Sequence, residues 1–577
     1  MKLQKRYIAF ALVIVLLFLI QFNHWSDDYS RVTPFRGAQL EADVFYPLIA
    51  RSMNEGHSVQ VSVDGEPNAA LSGEVYVNSG MQILGSAAFF RDVMECDAHV
   101  YNKKTLRIQR GNVILTYTKN SQTRTRSLAD AGDASSRNGS SSERSQAQAV
   151  CTADESGRLF APIQDLCDEF GYSMSWDSTA GILQINTDGA DENSLPEAFD
   201  LRSEKRTAAI RDQGSESTCW AFASIGALES SILPERTDTF SPEDLIAHKP
   251  YSFKKSQGGD FSLALAYLLS WQGPVSEKKK ETAVHLQSAA FYDHADEEEI
   301  KRAVFLYGGV STSVYIQTGG VSGKSSSYYN DETNAYCYNG SQNPNHDIVI
   351  IGWDDHYPAS NFNVRVRGNG AFLCQNSWGS DFGDDGVFYV SYYDAAVGTQ
   401  AVSYCDVEPA DNYDVIHQSD LGGWTGQIGY GQASCMGANL YMAEADESVC
   451  AAGFYALGKN TEYELFFVPD YQSDDSLAKR IPVASGTLES AGYYTIPFSA
   501  PQAVADGTTF AVVLSIRTPG VTEPMAIEYT SARMADEVDI TDGDGRISAD
   551  GTYWEDVEDR TGGNLCLKAY ADQIDGE

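Results

Sequence analysis

The chain has 577 residues, 41 of them Lys or Arg and 80 Asp or Glu, for a net charge of −39 at pH 7. Such an excess repels phosphate backbones and argues against a nucleic-acid partner, while 42% hydrophobic and 11% aromatic residues are too many for a disordered, solvating chain. At ~100–200 residues per domain the length predicts about three or four domains. Ten cysteines, none in a Cys-x-x-Cys pair, and the lack of any His-x-His remove the usual zinc-ribbon, thioredoxin and paired-histidine signatures.

Lys2, Lys5 and Arg6 precede an apolar run over 7–20, and Asp27 and Asp28 follow it. Positive charge stays on the cytoplasmic side, so the rest of the chain is expected outside. No small-x-small cleavage site stands around Asn23–Ser26 and no lipobox cysteine follows, so residues 1–26 read as a signal-anchor in preference to a removed signal peptide. The expected location is the extracellular face, anchored to the membrane through one N-terminal helix, or else secreted.

Residues 35–187 read as short alternating strands, 58–63 among them. An internal duplication is visible: 87–101 with 105–108 parallels 160–176 with 182–185, each copy reading as helix, hairpin and strand. Between them, 119–148 is rich in Ser, Arg and Asp and is expected to be a flexible insertion. The apolar pattern resembles the N-terminal domain of copper amine oxidases as it recurs in bacterial surface proteins. That resemblance implies a wall-facing accessory module and no copper, because the copper-carrying domain of that family has no counterpart here.

Three segments further on carry chemistry. In Arg211-Asp-Gln-Gly-Ser-Glu-Ser-Thr-Cys219 a loop of small residues delivers a cysteine to an apolar pattern, Phe222, Ile225, Leu228 and Ile232, that Pro234 ends. The unpaired N–H groups and dipole of a helix start favour the thiolate, the attacking form; alone, such a cysteine also fits a small core residue. His346 opens an apolar run suited to a buried strand, where it could serve as general base or be purely structural. Asn376, in Gln-Asn-Ser-Trp-Gly, could accept the imidazole N–H and fix its tautomer, with Trp378 shielding the bond from water.

Taken in this order the motifs are similar to those of the papain family of cysteine peptidases: Gln213-Gly214-Ser215, Cys219-Trp220-Ala221-Phe222-Ala223, Gly258-Gly259, His346 and Asn376-Ser377-Trp378-Gly379, with 195–202 looking like that family's mature start. The resemblance runs from about 195 to 405. It implies Cys219 as nucleophile with a lowered thiol pKa, His346 as general acid and base, and Asn376 as orienter. It further implies that Gln213 helps form the oxyanion hole and that Gly258, Gly259 and Trp378 line the substrate's path. No cofactor is required by it.

The chain departs from that pattern in two places. Glu216 stands where the family has a second cysteine, so the partner disulfide near the site is not expected. Asp347 replaces the small residue after the histidine; inward it would raise the His346 pKa, and outward, the reading favoured here, it is a solvated charge. An insertion after Trp353 resembles secreted or surface-bound papain-like enzymes of Gram-positive anaerobes. The inhibitory prodomain pattern of eukaryotic members is not evident upstream of Leu195.

From 411 to 573 short strands separated by turn residues predict an antiparallel sandwich. It resembles the lectin-like domain that follows the peptidase in clostridial surface-layer-processing cysteine proteases, which implies contact with carbohydrate or cell wall. Asp542-Gly-Asp544-Gly545 imitates a calcium loop, but Ile540 and Gly551 stand where an EF-hand needs acids, so a tight polar turn is expected; structural calcium elsewhere stays open.

The expected fold is therefore multidomain, an α+β papain-like core over 194–405 between an N-terminal α+β repeat module and a C-terminal antiparallel β-sandwich. The expected function is an extracellular cysteine endopeptidase acting on proteins or peptides. Two rivals are a catalytically silent surface adhesin and a transglutaminase-like acyl transferase, whose triad would end in Asp rather than Asn376.

Overall fold

The structure, a computed structural model, describes residues 59–78, 82–129, 142–154, 157–177, 181–188, 195–248, 258–317, 326–530 and 538–574. The N-terminal segment read as a signal-anchor lies outside them; among the described residues no helix is long and apolar enough to cross a membrane.

The duplication in the first module is real in three dimensions. Strand Ile83–Ser86 leads into helix Ala87–Met94, and strand Leu159–Pro162 into helix Ile163–Phe170. The two leading strands pair antiparallel, Ser86 opposite Phe160 and Leu84 opposite Pro162. Each helix is followed by a hairpin, Asp97–Tyr101 with Thr105–Arg110 and Ser173–Asp177 with Ile182–Asn186. Ser86 caps the first helix by accepting from the Phe89 N–H, and Gly171, at φ 81°, ends the second. Both helices turn Phe89, Phe90, Met94, Leu166 and Phe170 into one core.

The segment 119–148 is not wholly a flexible insertion. Thr123–Leu128 and Glu143–Gln146 form the outer strands of a five-stranded sheet, while 130–141 lie outside the described residues. Two of its arginines are held against the second helix, Arg126 Nε donating to Glu169 at 2.7 Å and Arg124 to the Asp165 carbonyl.

The module grips the next domain through buried charge. Arg206 Nη1 meets Asp97 Oδ1 at 2.6 Å with both side chains fully buried. His99 bonds Glu235, and Arg107 bridges Asp97 and Glu204. Burial alone would raise the Asp97 carboxyl, but Arg206, His99 and Arg107 outweigh it and hold it well below the usual range. Glu235 lies just past the C-terminal end of helix Cys219–Ile232.

That helix is buried on nearly every side and packs on strand His346–Asp354, which is buried over all but its last residue. The strand sits inside a sheet of 13 strands that does not stop at the domain boundary. Strand Val284–Asp293 pairs antiparallel with Ala491–Val504 of the C-terminal sandwich, Ala289 opposite Tyr493 and Phe291 opposite Ala491. Gly492 sits at the joint, where a Cβ would lie 2.2 Å from the Ala289 carbonyl oxygen. The sandwich closes with a six-stranded antiparallel sheet over this one, around Phe454, Leu465, Phe467, Val512 and Leu567.

Candidate active site

The Cys219–Ile232 helix starts at the cysteine itself, because Gly214, at φ 66°, turns the chain and the loop holds few apolar groups that could extend the helix backward. Loop and helix are locked by an ion pair that the sequence reading missed: Arg211 reaches Glu229 with two bonds of 2.7 and 2.8 Å, and Glu229 also accepts from the Phe240 N–H. Both residues were in plain view, eight positions before and ten after the helix head, but nothing in their spacing marks them as partners.

Cys219 is a free thiol, 8% exposed. The backbone N–H groups of Asp347, Trp220 and Cys219 favour its thiolate. His346, 7% exposed, directly precedes that Asp347 amide. Its Nε2 lies 2.9 Å from Asn376 Oδ1, which also accepts from the Ser377 N–H. An amide oxygen can only accept, so Nε2 carries the hydrogen and Nδ1 is left as the proton acceptor. Trp378 covers the imidazole, ring centroids 4.7 Å apart, and is itself braced by Phe382.

Gln213 joins the same cluster. Its Oε1 accepts from Ser377 Oγ at 2.6 Å, and its Nε2 donates to the Glu216 carbonyl at 2.7 Å. Gly258 takes φ 73°, and at Gly259 a Cβ would fall 2.6–2.7 Å from Leu263 and the Trp220 indole. The second glycine is thus required by Trp220, whatever it offers a ligand. The structure brings Cys219, His346, Asn376, Gln213 and Trp378 together around one helix start.

Two expectations are corrected. Asp347 does not point to solvent: it is 9% exposed and its Oδ1 accepts from Ser313 Oγ at 2.6 Å, because the strand pairing sets Ser313 opposite it. Burial, with Asp260 nearby, pushes its carboxyl up to about 7. The Cys219 thiol is not lowered either. Burial and then the Asp347 carboxylate push it up to about 12, against the three N–H groups that favour the thiolate. Burial likewise pushes His346 down to about 4, its bond to Asn376 opposing. Burial thus favours the neutral form of each group taken alone.

Residues 195–408 match the papain family cysteine protease model and residues 416–571 the lectin like domain model. The chain carries a papain-family peptidase domain followed by a lectin-like domain. Bovine cathepsin S is 27% identical to the peptidase domain over 212 residues, 33% of this chain and 59% of that protein. The viral cathepsin of Adoxophyes honmai nucleopolyhedrovirus is 24% identical over 225 residues, 36% of this chain and 61% of that protein. The chain thus spans about three fifths of the length of these curated relatives. Among solved structures, the cysteine protease and lectin-like domains of Cwp84, a surface-layer-associated protein of Clostridium difficile, superpose with a TM-score of 0.56 at 22% identity, covering 66% of this chain and 89% of that one. Cwp84 after propeptide cleavage gives 0.57 at 23% identity, covering 65% and 99%. The peptidase and lectin-like domains therefore share their fold and their succession with Cwp84.

Proposed function

We propose that the protein is a cell-surface or secreted cysteine endopeptidase in which Cys219 attacks the scissile carbonyl. His346 Nδ1 takes the thiol proton as the sulfur–carbon bond forms, then delivers it to the leaving amine as the peptide bond breaks; water releases the acyl group by the reverse sequence. Thiolate and imidazolium arise together, so each charge offsets the burial that disfavours the other alone. Asn376 orients the imidazole. The Gln213 amide keeps one N–H beyond its bond to Glu216, and that hydrogen with the Cys219 amide forms the oxyanion hole. Gly258, Gly259 and Trp378 line the substrate's path. The observation that carries this reading is the His346–Asn376 bond beneath Trp378 at the head of the Cys219 helix.

The lectin-like domain would hold carbohydrate or wall polymer, as its family description suggests, and the 59–188 module would serve as a wall-facing accessory. Residues 1–26 would tether the whole to the membrane. The printed surface-layer association of Cwp84 supports an outer-face location.

The deciding experiment compares wild type with Cys219→Ala on fluorogenic peptides under reducing conditions. Turnover by wild type alone, abolished by thiol alkylation, is expected. Turnover of no peptide by either protein, nor by a form cleaved at residue 195, would overturn the peptidase reading.

A further inference from the structure

Strand pairing sorts a set of side chains onto one face of the large sheet. Asp347 stands opposite Ser313, Ser311 opposite both Val349 and Val402, and Val402 opposite Phe291. Paired residues, and residues two apart along a strand, point to the same side. It is the side on which the Cys219–Ile232 helix lies, since a Cβ on its Gly226 would meet Val349 Cγ2 at 3.5 Å. Helix Phe261–Leu269 lies over it as well, the Phe261 ring 5.8 Å from that of Phe291. The starts of two helices thus overhang a strip of sheet that runs from Asp347 and Ser313 to Phe291. Those three residues each keep 8–9% of their surface exposed, so the strip is not sealed.

Two carboxylates face each other at this strip. Asp347 Oδ1 accepts from Ser313 Oγ at 2.6 Å, while its Oδ2 has no hydrogen-bond partner among the described residues. Asp260, the residue after Gly258-Gly259, caps the second helix through the Ser262 N–H at 2.9 Å and acts on Asp347 electrostatically. Among the described residues neither carboxylate forms an ion pair with a Lys, Arg or His. Buried charge of one sign is costly until a cation reaches it. The papain pattern has a small side chain where Asp347 stands, so this charge is the chain's own addition to the shared machinery.

Resting on the peptidase reading, we propose that Asp347 and Asp260 make the groove select a lysine or arginine side chain at the substrate residue just before the one whose carbonyl Cys219 attacks. The attacked residue sits at the helix head, and its predecessor runs along Gly258-Gly259, next to Asp260. Alternate side chains of an extended chain face opposite ways, so when the attacked residue points outward its predecessor turns in to the strip. The methylene stem of a basic residue packs against Phe261, and its charged head makes charge-assisted bonds to the carboxylates. Trp424 of the lectin-like domain stacks on Phe291, ring centroids 6.2 Å apart, and buttresses the aromatic end of the strip.

The test is kcat/KM at pH 8 for fluorogenic peptides identical except at that position, which holds Lys, Arg, Gln, Leu or Asp. Wild type is expected to cut the Lys and Arg peptides at least tenfold better than the Leu and Gln peptides, and the Asp peptide worst. In Asp347→Asn the Lys-to-Leu ratio should fall at least fivefold; being a ratio, it is blind to any change in thiolate reactivity. A wild-type preference for Leu or Gln, or a ratio that Asp347→Asn leaves unmoved, would overturn the proposal. If Asp347→Asn does not fold, Asp260→Asn, which keeps a helix cap, decides by the same ratio. If no peptide is cut, the peptidase reading fails, and the groove is judged by fluorescence anisotropy of the same peptides on Cys219→Ala. Binding of the Lys and Arg peptides at least tenfold tighter than Leu, reduced by adding Asp347→Asn, supports the selection; equal affinities, or an advantage that Asp347→Asn does not reduce, overturn it.

Discussion

A carboxylate beside a buried thiol raises the free energy of the thiolate for as long as it is ionised, and Asp347 stands in that relation to Cys219. Its own carboxyl, pushed up to about 7, is neutral at acid pH and charged at alkaline pH. Asp347→Asn should therefore leave the rate of Cys219 alkylation by iodoacetamide unchanged near pH 5 and accelerate it above pH 7, a comparison a stopped-flow pH series reads directly. Stability moves with the same group. Between the ordinary carboxyl pKa and about 7 the folded protein holds a proton that the unfolded chain has lost, so this contribution is whole below that window and falls as pH rises through it. Replacing Asp347 by Asn removes the fall, and the variant should gain about 2–3 kcal/mol on wild type between pH 5 and pH 8 in denaturant titrations. Gln213→Ala should lower kcat by ~10²–10³ with KM little changed, as loss of an oxyanion donor does. Cys219, His346 and Asn376 were legible because each residue type has one role in this chemistry and their order excludes other triads. Asp347 was not: which way it faces depends on Ser313, 34 positions away, across a strand pair.

At the scale of elements, the head of the Cys219 helix is held by the Arg211–Glu229 fork. Glu229 is 2% exposed, and without it Arg211 falls back on the more exposed Glu277 at 3.3 Å as its counter-charge. Glu229→Ala should cost about 3–5 kcal/mol of stability, and Glu229→Gln distinctly less because its amide still accepts from Arg211 and the Phe240 N–H. Chemical denaturation of the two variants checks the difference. Helix caps and hairpins of the duplicated module were readable from local signals such as Ser86 and Gly171. The strands at 123–128 and 143–146 were not, since the arginines of the first find partners on a helix that local composition does not reveal.

In the whole molecule, the N-terminal module holds the far end of the catalytic helix. Its Asp97 and His99 network closes around Arg206 and Glu235, about 20 Å from Cys219 along a helix of 14 residues at 1.5 Å each. Asp97→Ala should strand Arg206 in the interior, destabilise the joint by about 3–5 kcal/mol and expose the module to limited proteolysis, while peptide turnover at low temperature stays within about twofold of wild type. The continuity of the large sheet was likewise invisible in the sequence, because Gly492 and Ala289 meet across 203 positions.

That continuity has a mechanical meaning. Backbone hydrogen bonds between Val284–Asp293 and Ala491–Val504 join the two domains edge to edge, leaving no hinge between them. Any ligand held on the lectin-like domain would therefore stand at a set height and angle from the Cys219 groove. Under the proposed function, cleavage points would be selected partly by their distance from a ligand held there, as a gauge sets a cut, rather than by side chain alone.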